Sequence, residues 1–95
     1  MVEATGITGR LITNAGSLSL YEVKATATTA ETITIPSNIP VTSSSKIQIV
    51  GFNNVTDGTD VSDSSTYDDG NTRFTYTETG GSDEDVRILF YVDNS

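Results

Sequence analysis

The run Val86-Arg87-Ile88-Leu89-Phe90-Tyr91-Val92 constrains this chain more than any other segment, because it is apolar on both alternations of a strand. Val86, Ile88, Phe90 and Val92 would point to one face, and Leu89 and Tyr91, after Arg87, to the other. A half-buried antiparallel strand needs one apolar face, so the second must be covered by another layer or by a neighbouring molecule. A chain of 95 residues has little material for a further layer. A subunit contact is therefore the expectation for the second face.

This length accommodates one domain with one modest core, and an elaborate enzyme pocket does not fit it. The net charge is -8, from 13 acidic against 5 basic residues. Arg10, Lys24, Lys46, Arg73 and Arg87 are scattered along the sequence, so no basic stripe offers a footprint for a phosphate backbone, and nucleic acid is not an expected partner. The acidity instead favours solubility. Cysteine is absent, which removes disulfide staples. The first residues lack a basic start and an apolar run, and no window approaches a membrane span, so the chain as given reads as made in the cytoplasm without a signal peptide.

The 16 Thr and 11 Ser disfavour helix, since their hydroxyls compete for backbone hydrogen bonds, while Thr suits an exposed strand face. Residues 1–17 hold Gly6, Gly9 and Gly16 and few apolar anchors, Val2, Ile7, Leu11 and Ile12. They read as an extended arm with one short strand, able to pack on a neighbour as easily as on its own domain. From Leu18 the alternation sharpens: Tyr21, Val23, Ala25 and Ala27 oppose Glu22, Lys24, Thr26 and Thr28. Leu18 and Leu20 fall on the other phase, which calls for a β-bulge near Leu20 or for a partner that takes both leucines.

Further strands are expected at 31–35, stopped by Pro36, and from Lys46, where the phase flips around Val50-Gly51-Phe52. Residues 53–71 are polar and read as loop with one short edge strand, ending in the turn Asp68-Asp69-Gly70-Asn71. A strand at 72–78 with Phe74 and Tyr76 inward follows, and Gly80-Gly81-Ser82-Asp83 turns the chain into the final strand. The pattern is all-β: a single small antiparallel β-sandwich or barrel-like domain over 18–95, preceded by the arm. The expected core is Tyr21, Val23, Ile33, Ile35, Ile47, Ile49, Phe74, Tyr76, Ile88 and Phe90. The expected contact residues are Leu18, Leu20, Leu89 and Tyr91, with Val2, Ile7 and Leu11 on the arm.

Patterns that carry chemistry are few. Ser43-Ser44-Ser45-Lys46 matches the S-x-x-K spacing of serine acyl-enzymes, but those need the lysine one helical turn from the serine, and this segment is a connector entering a strand. Histidine is absent, and with it the usual base of a serine triad and the commonest transition-metal ligand. No catalytic residue and no cofactor site is expected. Asp57, Asp60, Asp63, Asp68 and Asp69 are weak candidates for calcium, which takes oxygen ligands from loops, although D-G-T-D-V-S-D fails the EF-hand template. Asn54-Val55-Thr56 matches the glycosylation sequon.

The succession of residues 25–36 (Ala-Thr-Ala-Thr-Thr-Ala-Glu-Thr-Ile-Thr-Ile-Pro), a Lys46-Ile47-Gln48-Ile49-Val50 strand, a polar Asp/Gly loop, an aromatic strand and the closing Asp85-Val86-Arg87-Ile88-Leu89-Phe90-Tyr91-Val92 strand resembles small all-β virion proteins of tailed bacteriophages or archaeal viruses. It is similar in style to their head decoration, or cement, proteins across residues 18–93. The resemblance implies a non-enzymatic virion protein that binds capsid proteins or its own copies, often as a trimer, and reinforces the shell. A tail, neck or fibre component and a carbohydrate-binding β-sandwich module are the alternatives. The last would need exposed aromatic platforms, in a chain with no Trp and only four Tyr and three Phe.

Overall fold

The computed structural model describes residues 3–28, 31–41, 46–56, 58–60, 66–76 and 83–93. Among the described residues eight strands run in chain order: β1 (Thr5–Ala15), β2 (Leu18–Ala27), β3 (Thr32–Thr34), β4 (Lys46–Asn54), β5 (Thr59–Asp60), β6 (Thr66–Asp68), β7 (Arg73–Thr75) and β8 (Glu84–Asp93). They form a five-stranded sheet, β1-β2-β8-β4-β5, and a three-stranded sheet, β3-β7-β6. Within both sheets every ladder is antiparallel. The protein is an all-β sandwich of two packed sheets.

The alternation of β8 places it at the centre of the larger sheet. Val86, Ile88, Phe90 and Val92 are buried against the second sheet, and β2 answers with Tyr21, Val23, Ala25 and Ala27. The rings of Phe74 and Phe90 meet across the two sheets at 5.5 Å, and Phe52 lies edge-on to Phe74 at 6.0 Å. Eight of the expected core residues are buried, while Ile47 and Ile49 are partly buried and pack against them. Phe52 is fully buried as well, because a register shift between Ile49 and Gly51 leaves Val50 bulged and 55% exposed, and so returns the next apolar side chain to the core.

Residues 5–15, expected as an arm with one short strand, form an eleven-residue strand that pairs along the length of β2. The connection is the tight turn Gly16-Ser17, with Gly16 at φ +64°, the first turn position at which a two-residue hairpin takes glycine. An edge strand has one neighbour, so it needs fewer apolar anchors than a core strand. The start of the segment is tied down by Glu3, whose carboxylate accepts from the Thr34 N–H at 2.7 Å and from the Thr34 and Thr32 hydroxyls at 2.9 and 3.2 Å. Residues 36–41 dock on β1 at Gly9: Asn38 donates to the Gly9 carbonyl at 2.8 Å, and a Cβ at Gly9 would lie 2.5 Å from Ile39 Cδ1. Ile7 consequently packs against the core of its own domain.

Of the two expectations for Leu18 and Leu20, a β-bulge near Leu20 or a partner, the bulge is not found on β2; a register shift lies instead on the neighbouring strand. β2 and β8 pair without a shift from Leu18 to Ala27, whereas β1 shifts between Leu11 and Thr13, opposite Tyr21 and Leu20. Leu18 and Leu20 therefore stay on the face away from the core. The aromatic strand is shorter than the sequence pattern suggests: β7 ends at Thr75, with Tyr76 buried just beyond it, and residues 77–82 lie outside the described residues.

Candidate interaction surface

One face of the five-stranded sheet packs on the core, and the other is built from the opposite alternation of β1, β2, β8 and β4. Register defines its rows. Ala15, Leu18, Asp93 and Lys46 make one; Thr13, Leu20, Tyr91 and Gln48 the next. A third row holds Arg10, Glu22, Leu89 and Gly51, and a fourth Thr8, Lys24, Arg87 and Asn53. Leu18 is 37% exposed, and Leu20, Leu89 and Tyr91 are half-buried. Four of the expected contact residues thus form one patch on adjacent strands. A shallow depression of about 230 Å³ opens beside it, lined by Leu18, Lys46, Ile47, Gln48, Tyr91 and Asp93. Leu11 is 48% exposed on β1, Ile7 is partly buried against the core cluster, and Val2 lies outside the described residues.

Next to the patch, the fold gathers residues that look scattered in sequence. Arg10, Lys24 and Arg87 come together on this face around Glu22. Arg10 Nε donates to Glu22 Oε1 at 2.9 Å and Arg87 Nε to Oε2 at 2.5 Å. The Glu22 side chain is only 3% exposed, hidden beneath arginines that are themselves 67% and 44% exposed. Burial pushes the Glu22 carboxyl up, but the bonds from Arg10 and Arg87 and their charges outweigh it and hold the group below its ordinary value. Sequence reading missed this cluster, since no local motif encodes a cross-strand register.

A second polar group lies inside the sandwich. Asn54, fully buried, donates to Glu84 Oε2 at 2.7 Å and to the Tyr76 hydroxyl at 3.1 Å, and that hydroxyl donates to Glu84 Oε1 at 3.2 Å. The sequon asparagine is thus enclosed in the folded protein and unavailable for a glycan, while Thr56 Oγ1 accepts from the Asp85 N–H at 2.8 Å.

The calcium candidates divide. Asp57 and Asp63 lie outside the described residues, and Asp60 is exposed on the two-residue β5. Asp68 accepts from Asn71 Nδ2 at 2.7 Å and sits 3.6 Å from Arg73 Nε; the Asn71 bond chiefly holds its carboxyl below the usual range. Asp69 opens the 3-10 turn Asp69–Asn71. Among the described residues no three metal-ligating side chains converge. Ser43 of the S-x-x-K match is also outside them. No family model, curated protein or solved structure matches the chain.

Proposed function

We propose that the protein is a non-enzymatic assembly subunit of a virus particle, of the decoration or cement type, that binds capsid protein or its own copies through the outer face of its larger sheet. The observation that carries this reading is the patch of Leu18, Leu20, Leu89 and Tyr91, apolar and partly exposed at the middle of a sheet. Apolar groups left in water favour association, at roughly 25 cal/mol for each Å² covered. Repeated over many copies on a shell, modest contacts add through multivalency. The virion setting is supported by the resemblance in strand style. A glycan-binding role has less support, because Tyr21, Phe52, Phe74, Tyr76 and Phe90 are buried and unavailable as platforms.

The test is Leu89→Asp combined with Tyr91→Lys. The variant is expected to keep the parent circular dichroism, since the core uses the other alternation, and to lose self-association in light scattering and co-sedimentation with phage or archaeal virus shells that bind the parent. A folded variant that still assembles or binds as the parent does would remove the physical basis of the reading.

A further inference from the structure

We infer that the outer face carries a docking site for a carboxylate of a partner protein, formed by Arg10, Lys24 and Arg87 around Glu22; this rests on that face being a contact surface and names the group it receives. Three cations share this face with two carboxylates, Glu22, which both arginines engage, and Asp85, which lines one depression together with Lys24 and Arg87, so one positive charge is in excess in a chain of net charge -8. Lys24 is directly opposite Arg87 across the β2–β8 ladder, a like-charge pairing that weakens a sheet. Among the described residues Lys24 has no ion-pair partner. Asp85, two residues from Arg87 on the same strand, accepts instead from the Thr26 hydroxyl at 3.2 Å. Stability alone does not call for such an arrangement; an incoming anion does.

The two arginines are set for that anion. Each gives only its Nε–H to Glu22, and the Nη groups of both have no hydrogen-bond partner among the described residues. Glu22 fixes the guanidinium planes and leaves their outer donors to a carboxylate, for which the fork geometry is suited. The ground is concave. Depressions of about 200 Å³ and 360 Å³ adjoin Lys24, and the exposed Thr8 borders both.

The neighbourhood selects the occupant. Leu89 lies directly across from Glu22, and Leu20 and Tyr91 are in the next row, so the cations border an apolar patch. An acidic residue set among apolar ones on a protein surface matches both halves. A polyanion would meet leucine beyond the cations, and the net charge of the chain would repel it.

The 95-residue chain, labelled with 15N, is titrated with a capped tripeptide holding glutamate between two leucines while the Nε–H resonances of Arg10 and Arg87 are followed. Parallel arms use the glutamine tripeptide and inorganic phosphate. The glutamate peptide is expected to give saturable shifts, with binding at least about tenfold weaker for the glutamine peptide and lost in Arg87→Ala. Absence of saturable shifts, equal binding of the glutamine peptide, or full binding by folded Arg87→Ala would overturn the site. Shifts by phosphate that match or exceed those by the glutamate peptide would overturn the assignment to a protein carboxylate. Should Arg87→Ala fail to fold, Lys24→Ala, which leaves both Glu22 bonds intact, is expected to weaken binding about threefold, and unchanged binding would count against the site. Leu18→Lys, two rows from Glu22 on the same face, separates the two readings. Normal assembly by this variant counts against the contact surface alone, and loss of assembly without any peptide shift in the parent counts against the docking site alone.

Discussion

Glu22 shows how much a single position depends on its neighbours. The alternation of β2 assigns it correctly to the polar outer face, where a carboxylate would normally sit in water, yet its side chain is 3% exposed. The side chains of Arg10 and Arg87 cover it, and their hydrogen bonds and charges together outweigh the desolvation that this burial imposes. With the folded carboxyl below its ordinary value, Glu22 contributes stability that is fully present above the unfolded value near 4.5 and is lost as pH falls through the lower folded value. Urea midpoints measured from pH 6 downward should therefore decline below about pH 5, more steeply for the parent than for Glu22→Gln. Near pH 7 that substitution should cost about 1–2 kcal/mol, since the exposed arginines it strands can rehydrate. Parallel pH profiles for the two proteins would show that the pair contributes no pH-dependent stability. Glu22 as a polar position was legible in sequence; its two partners, 12 and 65 residues away, follow from register alone.

At the level of elements, β8 makes the two-sided demand and the sandwich answers it on one side. Its inner residues reach the second sheet, while Leu89 and Tyr91 stay half-buried on the outer face. Phe90→Ala should cost about 3–5 kcal/mol, because it empties the space between the Tyr21 and Phe74 rings, whereas Leu89→Ala one residue away should cost about 1 kcal/mol in the monomer. Chemical denaturation of the two variants measures the contrast, and equal costs would mean that the outer face is packed as tightly as the core. The strands β2, β4 and β8 were readable because period-2 alternation is a property of the chain itself. The extent of β1 was not. A segment with few apolar residues looks like an arm until a neighbouring strand supplies its hydrogen bonds, here through the ladder to β2 and the Glu3 bonds to β3.

For the whole molecule, acidity and assembly are the properties to test. The acidic residues do not converge among those described, and Asp68 is already engaged by Asn71 and Arg73. If Asp57, Asp60 and Asp63 or Asp68 and Asp69 hold calcium, millimolar calcium should raise the melting temperature and a chelator should reverse the rise. Identical melting curves under both conditions would eliminate a stability-linked ion and leave a solvated acidic face.

The sequence by itself determined the all-β class, eight of the ten expected core residues, the phase flip around Val50-Gly51-Phe52 and the outward phase of Leu89 and Tyr91, because each follows from alternation within one strand. Only the tertiary structure decided that residues 5–15 close the edge of a sheet, that Asn54 is enclosed with Glu84 and Tyr76, and that Arg10, Lys24 and Arg87 share one face. The physical reason is the same in each case: strand pairing joins residues far apart in the chain through backbone hydrogen bonds that every residue type except proline can make, so composition carries little record of which strands meet or in what register.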